Sequence, residues 1–65
     1  MPHVQITLLE GRTLEQKRRA VRRVTDVLRE ELDVSPEKIS IALVEVRRES
    51  YASNGILVCD RGQTR

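Results

Sequence analysis

Between His3 and Leu9 the chain alternates by twos, with Val4, Ile6 and Leu8 on one side and His3, Gln5, Thr7 and Leu9 on the other. That period predicts a half-buried β-strand over residues 3–9. Further on the rhythm changes. Leu14, Ala20, Val21, Val24, Val27, Leu28 and Leu32 form one helical stripe, stepping by threes and fours from Ala20 onward. Thr13 stands three residues before Gln16, the spacing of a capping box, so a helix is expected to start at Leu14 and to end at Asp33-Val34. Its opposite surface carries Arg18, Arg19, Arg22, Arg23, Asp26, Arg29 and Glu30, with Arg22 and Asp26 at attractive spacing. Ser35-Pro36-Glu37-Lys38 reads as an N-cap followed by proline at the first helical position of one short turn. Residues 39–46, ISIALVEV, are then almost continuously apolar, which suits a strand of a parallel sheet buried on both faces. The tail holds Asn54-Gly55, a tight-hairpin dipeptide, ahead of an apolar run from Ile56 to Cys59 that reads as a third strand or hairpin arm.

Strand, helix and strand in that order make a right-handed crossover with parallel strands, an α/β fold in a single domain over residues 1–65. Such a unit leaves a problem. One helix covers one face of a two-stranded sheet, yet Ile39, Ile41 and Leu43 on one side and Ala42, Val44 and Val46 on the other all call for burial. The uncovered face is expected to meet another chain, with the C-terminal arm reaching across an interface. Length points the same way, because a domain of this size buries only about 60% of its unfolded surface. The single Cys59 excludes an intrachain disulfide framework, and no Cys/His cluster has metal-ligand spacing. Oligomerisation is the remaining staple, and it sets any active site between subunits.

Charge narrows the function classes. Lys and Arg number 12 against 10 Asp and Glu, a net charge of +2, too small to mark a nucleic-acid surface. Tyr51 is the only aromatic residue, so the stacking platforms that bind single strands are missing as well. The basic helix surface is read as a solvated face. No apolar run approaches the roughly 20 residues of a membrane span, and no signal core follows the N-terminus, so a cytoplasmic protein without a membrane partner is expected. Hydrolase and nucleotide motifs of the GxSxG, HExxH and glycine-loop kinds are absent, and nothing calls for a cofactor.

A few residues remain as candidates for chemistry. Pro2 fits the first position of a strand, where a missing N–H costs the ladder nothing. It has a second reading, since removal of Met1 exposes a secondary amine able to act as base or nucleophile at the end of a rigid element. Arg12 sits before the helix start, where the dipole disfavours a cation; it is either a solvated turn residue or a fork for a carboxylate. His3 reads as a surface residue on the polar strand face, and Cys59, in its apolar run, as buried and inert. Tyr51 is either a packing residue or an aromatic wall over a pocket.

Together, PHVQITLLEGRTLEQK, the helix, SPEKISIALVEV and YASNGILVCDRG resemble the small-subunit 4-oxalocrotonate tautomerase family across essentially residues 2–61. The resemblance implies a β-α-β protomer, two of which join their sheets in a four-stranded dimer, and usually three such dimers in a hexamer. It also implies that Met1 is removed and that the Pro2 nitrogen is the general base of a keto-enol tautomerisation, acting on a small 2-hydroxy-dienoate or 2-oxo acid. An α-amino group ordinarily titrates at about 7.7 to 8.0, and apolar walls with nearby cations lower it toward a neutral base. On the same resemblance Arg12 binds a substrate carboxylate and Tyr51 takes the place of the family's aromatic wall.

One position departs from the pattern. Where well-studied members carry a second arginine, which polarises the substrate carbonyl and meets its carboxylate, this chain has Ser40. Loss of such a donor costs roughly 2.7 to 4 kcal/mol, or about 100- to 1,000-fold in turnover. Three compensations are open: a different substrate, a replacement cation at Arg47, Arg48 or Arg61, or a heterohexamer whose other subunit supplies the group. The last makes this chain a structural or regulatory subunit with little activity of its own. Dehalogenase relatives need an acidic residue near the aromatic position, where Ala52 and Ser53 stand, so that chemistry is set aside.

Overall fold

A computed structural model describes residues 1–61. Residues 62–65, the last of those assigned to the single domain, lie outside the described residues. Strand β1 runs His3–Leu9, helix α1 Leu14–Leu32 and strand β2 Ser40–Val46, followed by the two-residue strands β3, Ala52–Ser53, and β4, Ile56–Leu57. The β-α-β order and the parallel pairing of β1 with β2 are as the pattern predicts.

Helix α1 starts where its chemistry dictates. Thr13 Oγ1 accepts from the Gln16 backbone N–H at 3.0 Å, and Gln16 Oε1 accepts from the Thr13 N–H at 2.8 Å, closing the capping box. Asp33 ends the helix in the left-handed region at φ 55°, where glycine is more usual. Pro36–Lys38 form a 3₁₀ turn, but the Ser35 side chain makes no capping hydrogen bond to it. The expected Arg22–Asp26 pair is replaced by Asp26 with Arg29 at 3.5 Å, and Glu15 pairs with Arg18 at the same distance.

The register sets His3 opposite Ser40 and Leu9 opposite Val46, so Val4, Ile6 and Leu8 share a face with Ile41, Leu43 and Glu45. This is the helix side, tied by Lys17 Nζ to Glu45 Oε2 at 2.9 Å. The helical stripe that meets it differs from the apolar pattern. Lys17, Val21, Val24, Thr25 and Leu28 are half-buried, whereas Leu14, Val27 and Leu32 remain more than half exposed. A lysine held by a carboxylate and a short threonine are thus less exposed than three of the larger apolar residues of the stripe. On the other face His3, Gln5, Thr7, Ser40 and Val44 are all exposed.

Residues 47–61 form an arm closed on itself. Asn54 and Gly55 both adopt positive φ, 56° and 78°, the conformation a two-residue turn between β3 and β4 requires. Arg61 Nη2 donates to the Ser53 carbonyl at 2.8 Å and to Ser53 Oγ at 2.6 Å, and Val58 N–H to the Tyr51 carbonyl at 2.8 Å. The apolar run from Ile56 to Cys59 is strand only over Ile56–Leu57, because Val58–Asp60 wind into a 3₁₀ turn. That turn leaves Cys59 exposed rather than buried, its Sγ 3.8 Å from Asp60 Oδ1. The second strand likewise begins at Ser40 rather than Ile39, which caps the preceding turn.

Among the described residues none is fully buried. The chain exposes 5173 Å², whereas a compact monomer of this mass exposes about 4,200 Å². Large hydrophobic residues stand open along the chain, among them Leu14 at the helix start and Tyr51, Ile56 and Leu57 on the arm. With none of the described residues fully buried, the hydrophobic positions of the protomer stay partly open to solvent.

Candidate active site

Pro2 stands half-buried immediately before β1, behind a Met1 that is 85% exposed. Its carbonyl accepts the Ser40 N–H at 3.1 Å, the first rung of the sheet, so the head of the chain is fixed to the head of β2. This is ordinary ladder chemistry with one consequence: the proline nitrogen, which has no hydrogen bond to give up, is held at a defined place. With Met1 attached that nitrogen is a tertiary amide and has no basic lone pair.

Ser40 shares this end of the sheet, and its Oγ lies 2.8 Å from His3 Nδ1. Sequence reasoning missed this pair. His3 was visible as a polar residue on β1, but its partner depends on how two strands separated by a helix are aligned, which neither strand states alone.

Arg12 lies at the opposite end. It follows β1 through Gly11, whose φ of +118° belongs to a region side chains rarely adopt, and Glu10 N–H still donates to the Val46 carbonyl at 2.9 Å. Its guanidinium has no carboxylate partner among the described residues. It edges a cavity of about 220 Å³ floored by Ile6, Leu8, Ala20 and Leu43, with Gln16 and Lys17 beside it. Lys17 is engaged by Glu45, so Arg12 is the cation at this cavity left to meet an anion. An apolar floor with one cationic edge suits a small organic acid.

Within one chain these residues do not converge. At about 3.3 Å per residue, the seven residues of β1 hold Pro2 and Arg12 roughly 20 Å apart. Tyr51 emerges beyond the far end of β2, exposed on the arm. Of the possible replacement cations, Arg47 is paired with Glu49 and Arg61 is bound to Ser53.

The described residues thus form a parallel β-α-β unit headed by proline, with no residue of it fully buried. Residues 2–61 match the family described as Tautomerase enzyme, and the chain belongs to that family as a 4-oxalocrotonate tautomerase-like isomerase. It is 43% identical over 60 residues to the 2-hydroxymuconate tautomerase of Bacillus subtilis, covering 92% of this chain and 97% of that one. The crystal structure of a 4-oxalocrotonate tautomerase homologue superposes with a TM-score of 0.91 at 40% identity, covering 97% of this chain and all of the other. A heterohexamer 4-oxalocrotonate tautomerase from Chloroflexus aurantiacus superposes at 0.88 with 28% identity, covering 94% of this chain and 98% of that one. Among the described residues no helix is long and apolar enough to cross a membrane.

Proposed function

We propose that this protein ketonises a small 2-hydroxy-dienoate or related 2-oxo acid, with the Pro2 amine as general base once Met1 is removed. The observation that carries the reading is the position of Pro2, fixed through its carbonyl at the head of β1 behind an exposed Met1, in a chain of tautomerase sequence and fold. Removal of Met1 turns an inert amide into a secondary amine without disturbing the strand. The neutral amine takes the proton of the enol hydroxyl, the electron pair moves through the diene, and the same proton returns to carbon. No atom is gained or lost, and the reaction draws on no cofactor or metal. Arg12 of a neighbouring chain binds the substrate carboxylate, because its own chain holds it some 20 Å from Pro2. A partner strand running antiparallel brings the start of one β1 beside the end of the other. Tyr51 on the arm supplies an apolar wall that keeps the amine unprotonated. The working form is a hexamer of three such pairs in the cytoplasm.

The test is intact-mass measurement of the native protein with ketonisation of 2-hydroxymuconate by wild type and Pro2→Ala. The reading expects a mass lacking Met1 and a fall of about 100- to 10,000-fold for Pro2→Ala. A dominant unprocessed mass, or equal rates, contradicts it.

A second reading is supported by the occupied cations of the arm: with Arg47 on Glu49 and Arg61 on Ser53, the missing arginine is supplied by a paralogous subunit. The Chloroflexus aurantiacus relative is a heterohexamer. On this reading the purified homomer is folded but nearly inactive, and activity appears on co-assembly with an arginine-bearing partner.

A further inference from the structure

Ser40 leaves the site short of a donor, and the register of the sheet supplies one that neither Ser40 nor His3 offers by itself. The two residues are direct partners across the parallel ladder, with their side chains on the face away from the helix. His3 Nδ1 lies 2.8 Å from Ser40 Oγ. A hydroxyl that donates to Nδ1 leaves the single proton of the neutral ring on Nε2, turned outward as a donor. The pair is fixed to Pro2 from two sides. His3 is the next residue, its Cα about 3.8 Å along the chain, and the Ser40 backbone N–H binds the Pro2 carbonyl at 3.1 Å.

We propose that His3, oriented by Ser40, is the hydrogen-bond donor to the substrate oxygen at the Pro2 end of the site. Its Nε2–H meets the C2 oxygen of the enol acid while Pro2 moves the proton. As the hydroxyl is deprotonated, negative charge grows on that oxygen and the hydrogen bond strengthens, so the contribution falls on the transition state. A hydrogen bond to a charged acceptor is worth about 10- to 100-fold in rate. That recovers part of what the absent guanidinium forfeits. The role rests on the reading of Pro2 as base, and the two are separable by experiment.

His3 is the only histidine, so its ring nitrogens give unambiguous ¹⁵N signals in the assembled, Met1-free protein. The Nε2–H tautomer is expected in the wild type and its loss in Ser40→Ala, and 2-oxoglutarate, a stable 2-oxo acid, should shift the Nε2 signal. An Nδ1–H tautomer, or no shift at saturating acid, overturns the proposal whether or not the protein turns over 2-hydroxymuconate. With that substrate, His3→Leu should lower kcat/KM by about 10- to 100-fold. His3→Gln, whose amide nitrogen reaches the place of Nε2, should retain more activity than His3→Asn, whose nitrogen takes the place of Nδ1. Ser40→Ala should cost less than His3→Leu, and nothing further when combined with it. Equal losses in the Gln and Asn variants, or losses that follow disassembly by gel filtration, overturn the role. Turnover that is insensitive to Pro2→Ala sinks the reading of Pro2 instead, and the ring signals still decide for or against His3.

Discussion

Where β1 and β2 begin, the protomer gathers Pro2, His3 and Ser40 through a backbone hydrogen bond of 3.1 Å and a side-chain contact of 2.8 Å. Where the same strands end, it presents Arg12 over a small apolar cavity and sends out an arm bearing Tyr51. On the proposed reading the first end holds a base and a neutral donor, and the second a cation and the Tyr51 ring. A crossover of this length cannot bring its two ends together, because the strands are parallel and both chemistries lie along the axis that separates them. Two copies running in opposite directions can. On the proposed reading the lack of a buried residue among those described and the division of the site share one remedy, the association of two such copies.

The largest effect expected from breaking this arrangement is on the fold itself. Val44→Glu sets a charge on the sheet face opposite the helix, and with no buried residue among those described the loss of assembly should be accompanied by unfolding. Gel filtration with circular dichroism checks it, and a folded, soluble monomer would show that the face is not an interface. Next comes the cation of the far end. Arg12→Ala should lower kcat/KM by about 10- to 100-fold, mainly through KM, with the assembly intact. Its effect should shrink for enol acids that lack a carboxylate at the distal end. Smallest is a change that touches neither end's chemistry: Thr13→Ala removes the capping box and should cost about 1 kcal/mol of stability without altering turnover per folded site. A rate loss there would mean that the helix start steers Arg12, one residue away.

Much of the fold was legible because it is local. The alternation from His3 to Leu9, the Thr13–Gln16 box and the Asn54-Gly55 turn each declare themselves within a few residues, and all three appear as read. What escaped is set by contacts between distant segments. Lys17 and Thr25 are half-buried while Leu14, Val27 and Leu32 stay more than half exposed, since what a helix covers depends on the angle at which it crosses the sheet. Cys59 is exposed because a turn interrupts its strand. Pro2, Arg12 and Tyr51 stand out from their own positions and Ser40 from the resemblance, but neither source gives the span of β1 that separates Pro2 from Arg12. His3 fell outside these four because its partner is fixed by register alone.

The claim that two chains share each site is tested most directly by mixing Pro2→Ala and Arg12→Ala subunits under conditions that allow exchange. If Pro2 of one chain works with Arg12 of its partner, each mixed pair contains one site with both residues intact. Measured as kcat/KM, two variants that each keep about a tenth or less of wild-type activity alone should then recover about a quarter of it on random mixing. A mixture no more active than the average of its two components would contradict the account and require both residues to act from one chain.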